Sequence, residues 1–123
     1  MTTNMTNKQW VAICNIDDIL PNMGRCALFN NKQVAIFRVL DSAGGESFYA
    51  IDNYCPFSHA NTLSRGITGN IDGKTVISSP LYKQHFDLLT GICLEDKNVK
   101  VNTYPVRLDG HAVLMSEATI NVS

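Results

Sequence analysis

Residues Asn53-Tyr54-Cys55-Pro56-Phe57-Ser58-His59-Ala60-Asn61-Thr62-Leu63-Ser64-Arg65-Gly66 lack strand alternation, in a chain that otherwise reads as short strands. A second informative run is Ser78-Ser79-Pro80-Leu81-Tyr82-Lys83-Gln84-His85-Phe86-Asp87-Leu88-Leu89-Thr90-Gly91. Long ordered loops in compact domains are usually functional. Outward from these runs, the turn signals are dense. Residues 25–29 and 33–40 flank Asn30-Asn31-Lys32, and asparagine tolerates the left-handed backbone of a tight hairpin. Gly44-Gly45 separates 33–40 from the apolar stretch 47–51. Asp72-Gly73 lies between 70–71 and 75–77, and Asp109-Gly110 between 106–108 and 112–114. Asp-Gly between β-rich runs is a strong hairpin signal. Only residues 16–23 suggest a helical turn, and Pro21 limits it. The pattern predicts an all-β domain of small antiparallel sheets forming a sandwich or barrel.

The chain has 123 residues, which suits one domain with a real core. Its 45% apolar and 17% charged content excludes a disordered chain. A formal net charge of −1 gives no reason to expect a nucleic-acid or anionic-membrane partner. No apolar window approaches the roughly 20 residues of a membrane span. The N-terminus lacks the apolar stretch of a secretory signal, so a cytoplasmic location is expected. Residues 1–7 and 117–123 are predicted as mobile tails around a domain at 8–116. Four cysteines allow two disulfides or one four-ligand metal site, and a reducing cytosol disfavours the disulfides.

Leu63, Ser64 and Gly66 close the first run, while Pro80, Phe86, Asp87, Thr90 and Gly91 frame the second. With these residues in place the chain resembles the Rieske [2Fe–2S] domain family over about 10–114. That resemblance implies a fold with two loops at its tip, one Cys-x-His and one Cys-x-x-His, holding the cluster between them. The corresponding positions here are Cys55, Phe57, Ser79 and Tyr82. A phenyl ring has no lone pair, and serine and tyrosine oxygens are harder ligands than thiolate and imidazole. Lys83 stands where the family has glycine. The frame is therefore expected to hold no cluster and to fold without metal. Phe57 and Tyr82 would fill the emptied space, and Ser79 would hydrogen-bond a nearby amide or hydroxyl.

Pro80-x-x-x-Gln84-x-Phe86, Leu63-Ser64-Arg65-Gly66 and Gly91-Ile92-Cys93-Leu94-Glu95-Asp96 are similar to the small subunits of cytoplasmic NAD(P)H-dependent nitrite reductase. This resemblance implies a large-subunit partner that carries FAD, a [4Fe–4S] cluster and siroheme and reduces nitrite to ammonia. The small subunit would contribute no cofactor and no catalytic residue. Two other readings stay open: a Rieske-type electron carrier with rearranged ligands, and a free-standing protein-binding module.

Cys55, His59, His85 and Cys93 are an alternative metal set. Cys55-x3-His59 is near a zinc-type spacing, but His85 and Cys93 form no short knuckle. Packing explains them more simply, with Cys93 in the core. Cys14 and Cys26, inside strand-like runs, are expected to be small buried hydrophobes. Cys55 with His59, and Ser79 with His85, lack the third group and the elbow that a nucleophilic site needs. Partner contacts are expected at Phe57, Arg65, Tyr82 and Lys83, because aromatic and arginine side chains are enriched at interface centres.

Overall fold

The computed structural model describes residues 10–41, 43–81 and 83–117. The predicted tails lie outside these residues, except for Glu117, which accepts a hydrogen bond from the Asn30 side chain. The chain forms β1 (Val11–Asn15), β2 (Met23–Phe29), β3 (Lys32–Leu40), β4 (Glu46–Asp52), β5 (Tyr54–Cys55) and β6 (Ala60–Asn61). It continues through β7 (Ile67–Ile71), β8 (Lys74–Ser78), β9 (His85–Asp87), β10 (Thr103–Tyr104), β11 (Val106–Asp109) and β12 (Ala112–Met115). All strand pairs are antiparallel. They make a four-stranded sheet ordered β10-β4-β3-β2, two three-stranded sheets ordered β1-β12-β11 and β7-β8-β9, and the short pair β5-β6.

β3 explains how these sheets share one molecule. Its run Val34-Ala35-Ile36-Phe37 is fully buried although successive side chains point to opposite faces. Val34 and Ile36 enter a core with Ile19, Phe29, Ala50, Tyr104, Val113 and Met115. Ala35 and Phe37 enter a second core with Ile51, Cys55, Leu63, Ile77, Phe86 and Cys93. The central sheet is thus covered on both faces, which is why β3 reads as a continuous apolar run. Each large side chain buried this way contributes about 1.5–3 kcal/mol. The second core lies directly beneath the two runs that the sequence singled out.

The turns follow local chemistry. Asn30 and Asn31 both take positive φ, 50° and 66°, between Phe29 and Lys32. Asp72 and Gly73 do the same, 50° and 80°, between Ile71 and Lys74. These are type I′ hairpins, whose twist matches the strands they join. At the third site the turn residues are Gly110 and His111 rather than Asp109 and Gly110, because Asp109 already pairs with Ala112. Only Gly110, at φ 64°, is left-handed there, as a II′ turn requires. The helical turn expected within 16–23 is a single 3-10 turn, Ile16–Asp18.

All four cysteines are free. Cys55 and Cys93 are buried, and Cys14 is half-buried. Cys26 is exposed, contrary to the expectation of a buried hydrophobe. It sits on edge strand β2, where its thiol donates to Gln33 Oε1 at 3.3 Å and meets Asn53 Nδ2 at 3.5 Å. Among the described residues no helix is long and apolar enough to cross a membrane.

Candidate functional site at the two-loop tip

The two sequence runs build the same turn twice. In loop 1, Cys55 is followed by Pro56, and the His59 N–H donates back to the Cys55 carbonyl at 2.8 Å. In loop 2, Ser79 is followed by Pro80, and the Lys83 N–H donates back to the Ser79 carbonyl at 3.0 Å. His59 and Lys83 both hold positive φ, 57° and 63°. Cys55 pairs with Ala60 across β5-β6, and the Ser79 N–H donates to the Gln84 carbonyl at 2.8 Å. Each loop is thus a proline-stiffened turn that closes five residues after it opens.

The two loops meet at their first residues. Cys55 Sγ and Ser79 Oγ lie 3.6 Å apart, and both residues are buried. That spacing is close to the roughly 3.8 Å that two thiolates span on one tetrahedral metal with bonds of about 2.3 Å. The frame keeps ligand spacing while the chemistry has changed. The sequence reading expected an amide or hydroxyl partner for Ser79, and the partner is the Cys55 thiol. Burial pushes the Cys55 thiol up. The amides of Ser58 and Phe57 and the hydroxyls of Ser58 and Ser79 outweigh it and hold the group below its ordinary value.

The remaining expected residues divide between inside and outside. Phe57 is half-buried, its ring centroid 6.0 Å from that of Phe86 over the second core. Arg65 and Lys83 are exposed. Tyr82 lies outside the described residues. The side chains present do not fit a [2Fe–2S] cluster. The position of the first family histidine holds a phenyl ring packed into the core, and one of the two thiolate positions is a hydroxyl.

The alternative metal set is not gathered at one point. Cys55 contacts Ser79, and His59 Nδ1 lies 3.1 Å from the Tyr54 hydroxyl. His85 and Cys93 instead converge on Glu95. His85 Nδ1 lies 2.7 Å from Glu95 Oε2, the His85 N–H donates to Oε1 at 2.8 Å, and the Cys93 thiol donates to Oε1 at 3.6 Å. Among the described residues, no three His, Cys, Asp or Glu side chains form a group that could hold a metal ion. Burial, and then the Glu95 carboxylate, raise the Cys93 thiol above its ordinary value. Glu95 itself is held below the ordinary carboxylate value, because the His85 amide and imidazole together outweigh its desolvation.

Sequence reasoning missed two residues that organise this end. Asn53 is a buried hinge between the sheets and loop 1. Its Oδ1 accepts the Ser64 N–H at 2.7 Å, its carbonyl accepts the Leu63 N–H at 3.0 Å, and its Nδ2 donates to Gln33 at 3.0 Å. Leu81, the third residue of loop 2, is 62% exposed. Gly66 explains how the loops close on each other: a Cβ there would lie 2.2 Å from the Ser78 carbonyl oxygen. No other residue allows this approach.

Known proteins match this architecture. The Rieske-like [2Fe-2S] domain family matches residues 9–116. The nitrite reductase (NADH) small subunit of Salmonella typhimurium is 46% identical over 100 residues, covering 81% of this chain and 90% of that protein. The chain belongs to this family of Rieske-like small subunits. The NMR structure of the Escherichia coli protein NirD superimposes with a TM-score of 0.81 at 40% identity, covering 92% of this chain and all of that one. A third relative of this small subunit is a segment of a much longer protein. The nitrite reductase [NAD(P)H] large subunit of Klebsiella oxytoca is 36% identical over 109 residues, 89% of this chain but 11% of that protein.

Proposed function

We propose that this chain is the small subunit of a cytoplasmic NAD(P)H-dependent nitrite reductase and supports reduction of nitrite to ammonia by its large subunit. Membership of the small-subunit family supports the assignment to this complex. The observation that carries the partnership is the Klebsiella large subunit, in which a domain like this one is part of the same polypeptide. A domain that works fused to a large subunit in one protein and as a separate chain in others works beside that subunit in both.

In this reading the redox chemistry belongs to the large subunit, to which FAD, a [4Fe–4S] cluster and siroheme are assigned. The small subunit contributes a surface. The two-loop tip is the proposed contact, through Phe57, Arg65, Tyr82 and Lys83. The test is to co-express tagged small subunit with the large subunit of the same genome and follow nitrite-dependent NADH oxidation. The large subunit is expected to co-purify, and full activity to require this chain. A large subunit that neither binds the chain nor gains activity from it refutes the assignment.

A further inference from the structure

Residues 53–86, which build the tip and its supporting hairpin, hold one carboxylate, Asp72, in the turn at the end of the hairpin away from the tip. They carry Arg65, Lys74 and Lys83. The sheets beneath are the reverse: residues 10–52 hold Asp17, Asp18, Asp41, Glu46 and Asp52 against three basic side chains. Two of those three cations are paired, Lys32 with Asp52 at 3.8 Å and Arg38 with Glu46 at 2.7 Å. Every carboxylate side chain of the protein lies among the described residues, and none of them pairs with Arg65 or Lys83.

Lys83 adds a second observation. It holds φ 63°, a conformation that glycine takes freely and a lysine takes only under strain. Loop 2 therefore ends in a strained residue whose side chain makes no ion pair in this chain. Such strain concentrates where a surface meets a ligand or partner. Beside it stands Leu81, exposed at 62%. A lone exposed leucine is ordinary. Here the leucine stands next to a strained lysine that makes no ion pair, and the carboxylate at the end of the loop, Glu95, is already engaged by His85. The close approach of Gly66 to Ser78 sets Arg65 and the 75%-exposed Ile67 against the base of the same loop.

We propose that this end docks on an acidic face of the large subunit, with Leu81 as the apolar centre and Lys83 and Arg65 as the cationic flanks. The proposal rests on the partnership argued above and specifies the chemistry of the surface that loop 2 meets. Complementary charge of this kind steers association and fixes orientation, so the complex weakens as salt rises.

The decisive variant is Lys83→Gly, which removes the charge and the backbone strain together. It is expected to melt no lower than the wild type yet bind the large subunit about three- to fivefold more weakly. A merely structural lysine would not separate stability from affinity in this direction. Arg65→Glu combined with Lys83→Glu is expected to weaken binding by about tenfold or more and to flatten its salt dependence. Leu81→Asp is expected to weaken binding with little change in melting. Arg107→Glu, on β11, reverses a single charge away from the tip and should leave affinity unchanged. A wild-type complex that is indifferent to Lys83→Gly and to the double reversal overturns the docking face alone. Equal weakening by Arg107→Glu also overturns it, since net charge would then be the cause. Absence of any complex with the wild-type chain overturns the partnership itself.

Discussion

Loop 1 and loop 2 are the same turn put to opposite uses. Both open on a buried residue before proline, and both close on a left-handed residue bonded back to the first carbonyl. In loop 1 the third residue, Phe57, turns inward against Phe86, and the closing His59 is tied to the Tyr54 hydroxyl. In loop 2 the third residue, Leu81, stays in solvent, and the closing Lys83 makes no ion pair. A duplicated backbone thus does not dictate duplicated side-chain roles. Loop 1 lays its third residue onto the core, and loop 2 leaves its own in solvent.

The strongest way to break this comparison is to give both loops back their metal chemistry. Phe57→His, Ser79→Cys and Tyr82→His together restore the family ligand pattern around Cys55. The Cys55–Ser79 spacing of 3.6 Å is already close to that of two thiolates on one metal. The triple variant is expected to take up iron and sulfide on reconstitution and turn red-brown, while the wild type stays colourless. A colourless triple variant that is still folded would show that the loops have lost the cluster frame as well as its ligands. Truncation comes next in size. Phe57→Ala is expected to cost about 2 kcal/mol, since a half-buried ring loses part of what a fully buried one would. Leu81→Ala should stay within about 0.5 kcal/mol. Urea titration of the two variants reads the difference, and equal losses would erase the distinction between the loops.

Much of this contrast lies beyond what the sequence could express. The hairpins at Asn30-Asn31 and Asp72-Gly73 were legible because turn chemistry is local. Cys55, Phe57 and Ser79 were legible as altered ligand positions because their spacing from proline is local too. The approach of Cys55 to Ser79 spans 24 residues and depends on how two hairpins pack, so no motif contains it. Cys26 lies on β2, whose place at the sheet edge is a property of topology. Proline-flanked loops look alike in sequence, and nothing in Phe57 or Leu81 alone says which one faces the core. Apolar character was common to both, and the packing partner, Phe86, decided the matter.

The closing residues supply a smaller test. Replacing Lys83 by glycine relieves a left-handed backbone and loses no ion pair, so a gain of about 0.5 kcal/mol is expected. His59→Gly relieves the same strain but loses the Tyr54 hydrogen bond of 3.1 Å, worth about 0.5–1.5 kcal/mol. It is expected to be neutral or mildly destabilising. Thermal melts of the two variants, run side by side, should therefore separate, with Lys83→Gly the higher. A gain of the same size in both would mean that the Tyr54 contact holds nothing in place.

The smallest effect concerns the clamp behind loop 2. Glu95 is held below the ordinary carboxylate value, chiefly by the His85 amide and imidazole working against desolvation. A carboxylate whose folded value lies below its unfolded one stabilises the fold above the unfolded value, about pH 4.3, and loses that contribution as pH falls through the folded value. The His85–Glu95 pair is partly exposed, so its whole contribution is about 0.2–1 kcal/mol. Glu95→Gln is expected to lower stability by that amount at neutral pH and by nothing once the carboxylate is protonated. Comparing the denaturation midpoints of wild type and Glu95→Gln down a pH series tests this. Curves that stay parallel into acid would place the effect of Glu95 in packing rather than charge. Because the clamp fixes β9 at the end of loop 2, its loss should loosen Lys83 and Leu81 while leaving Phe57 against Phe86 undisturbed. Amide hydrogen exchange should accordingly rise in loop 2 and remain unchanged in loop 1.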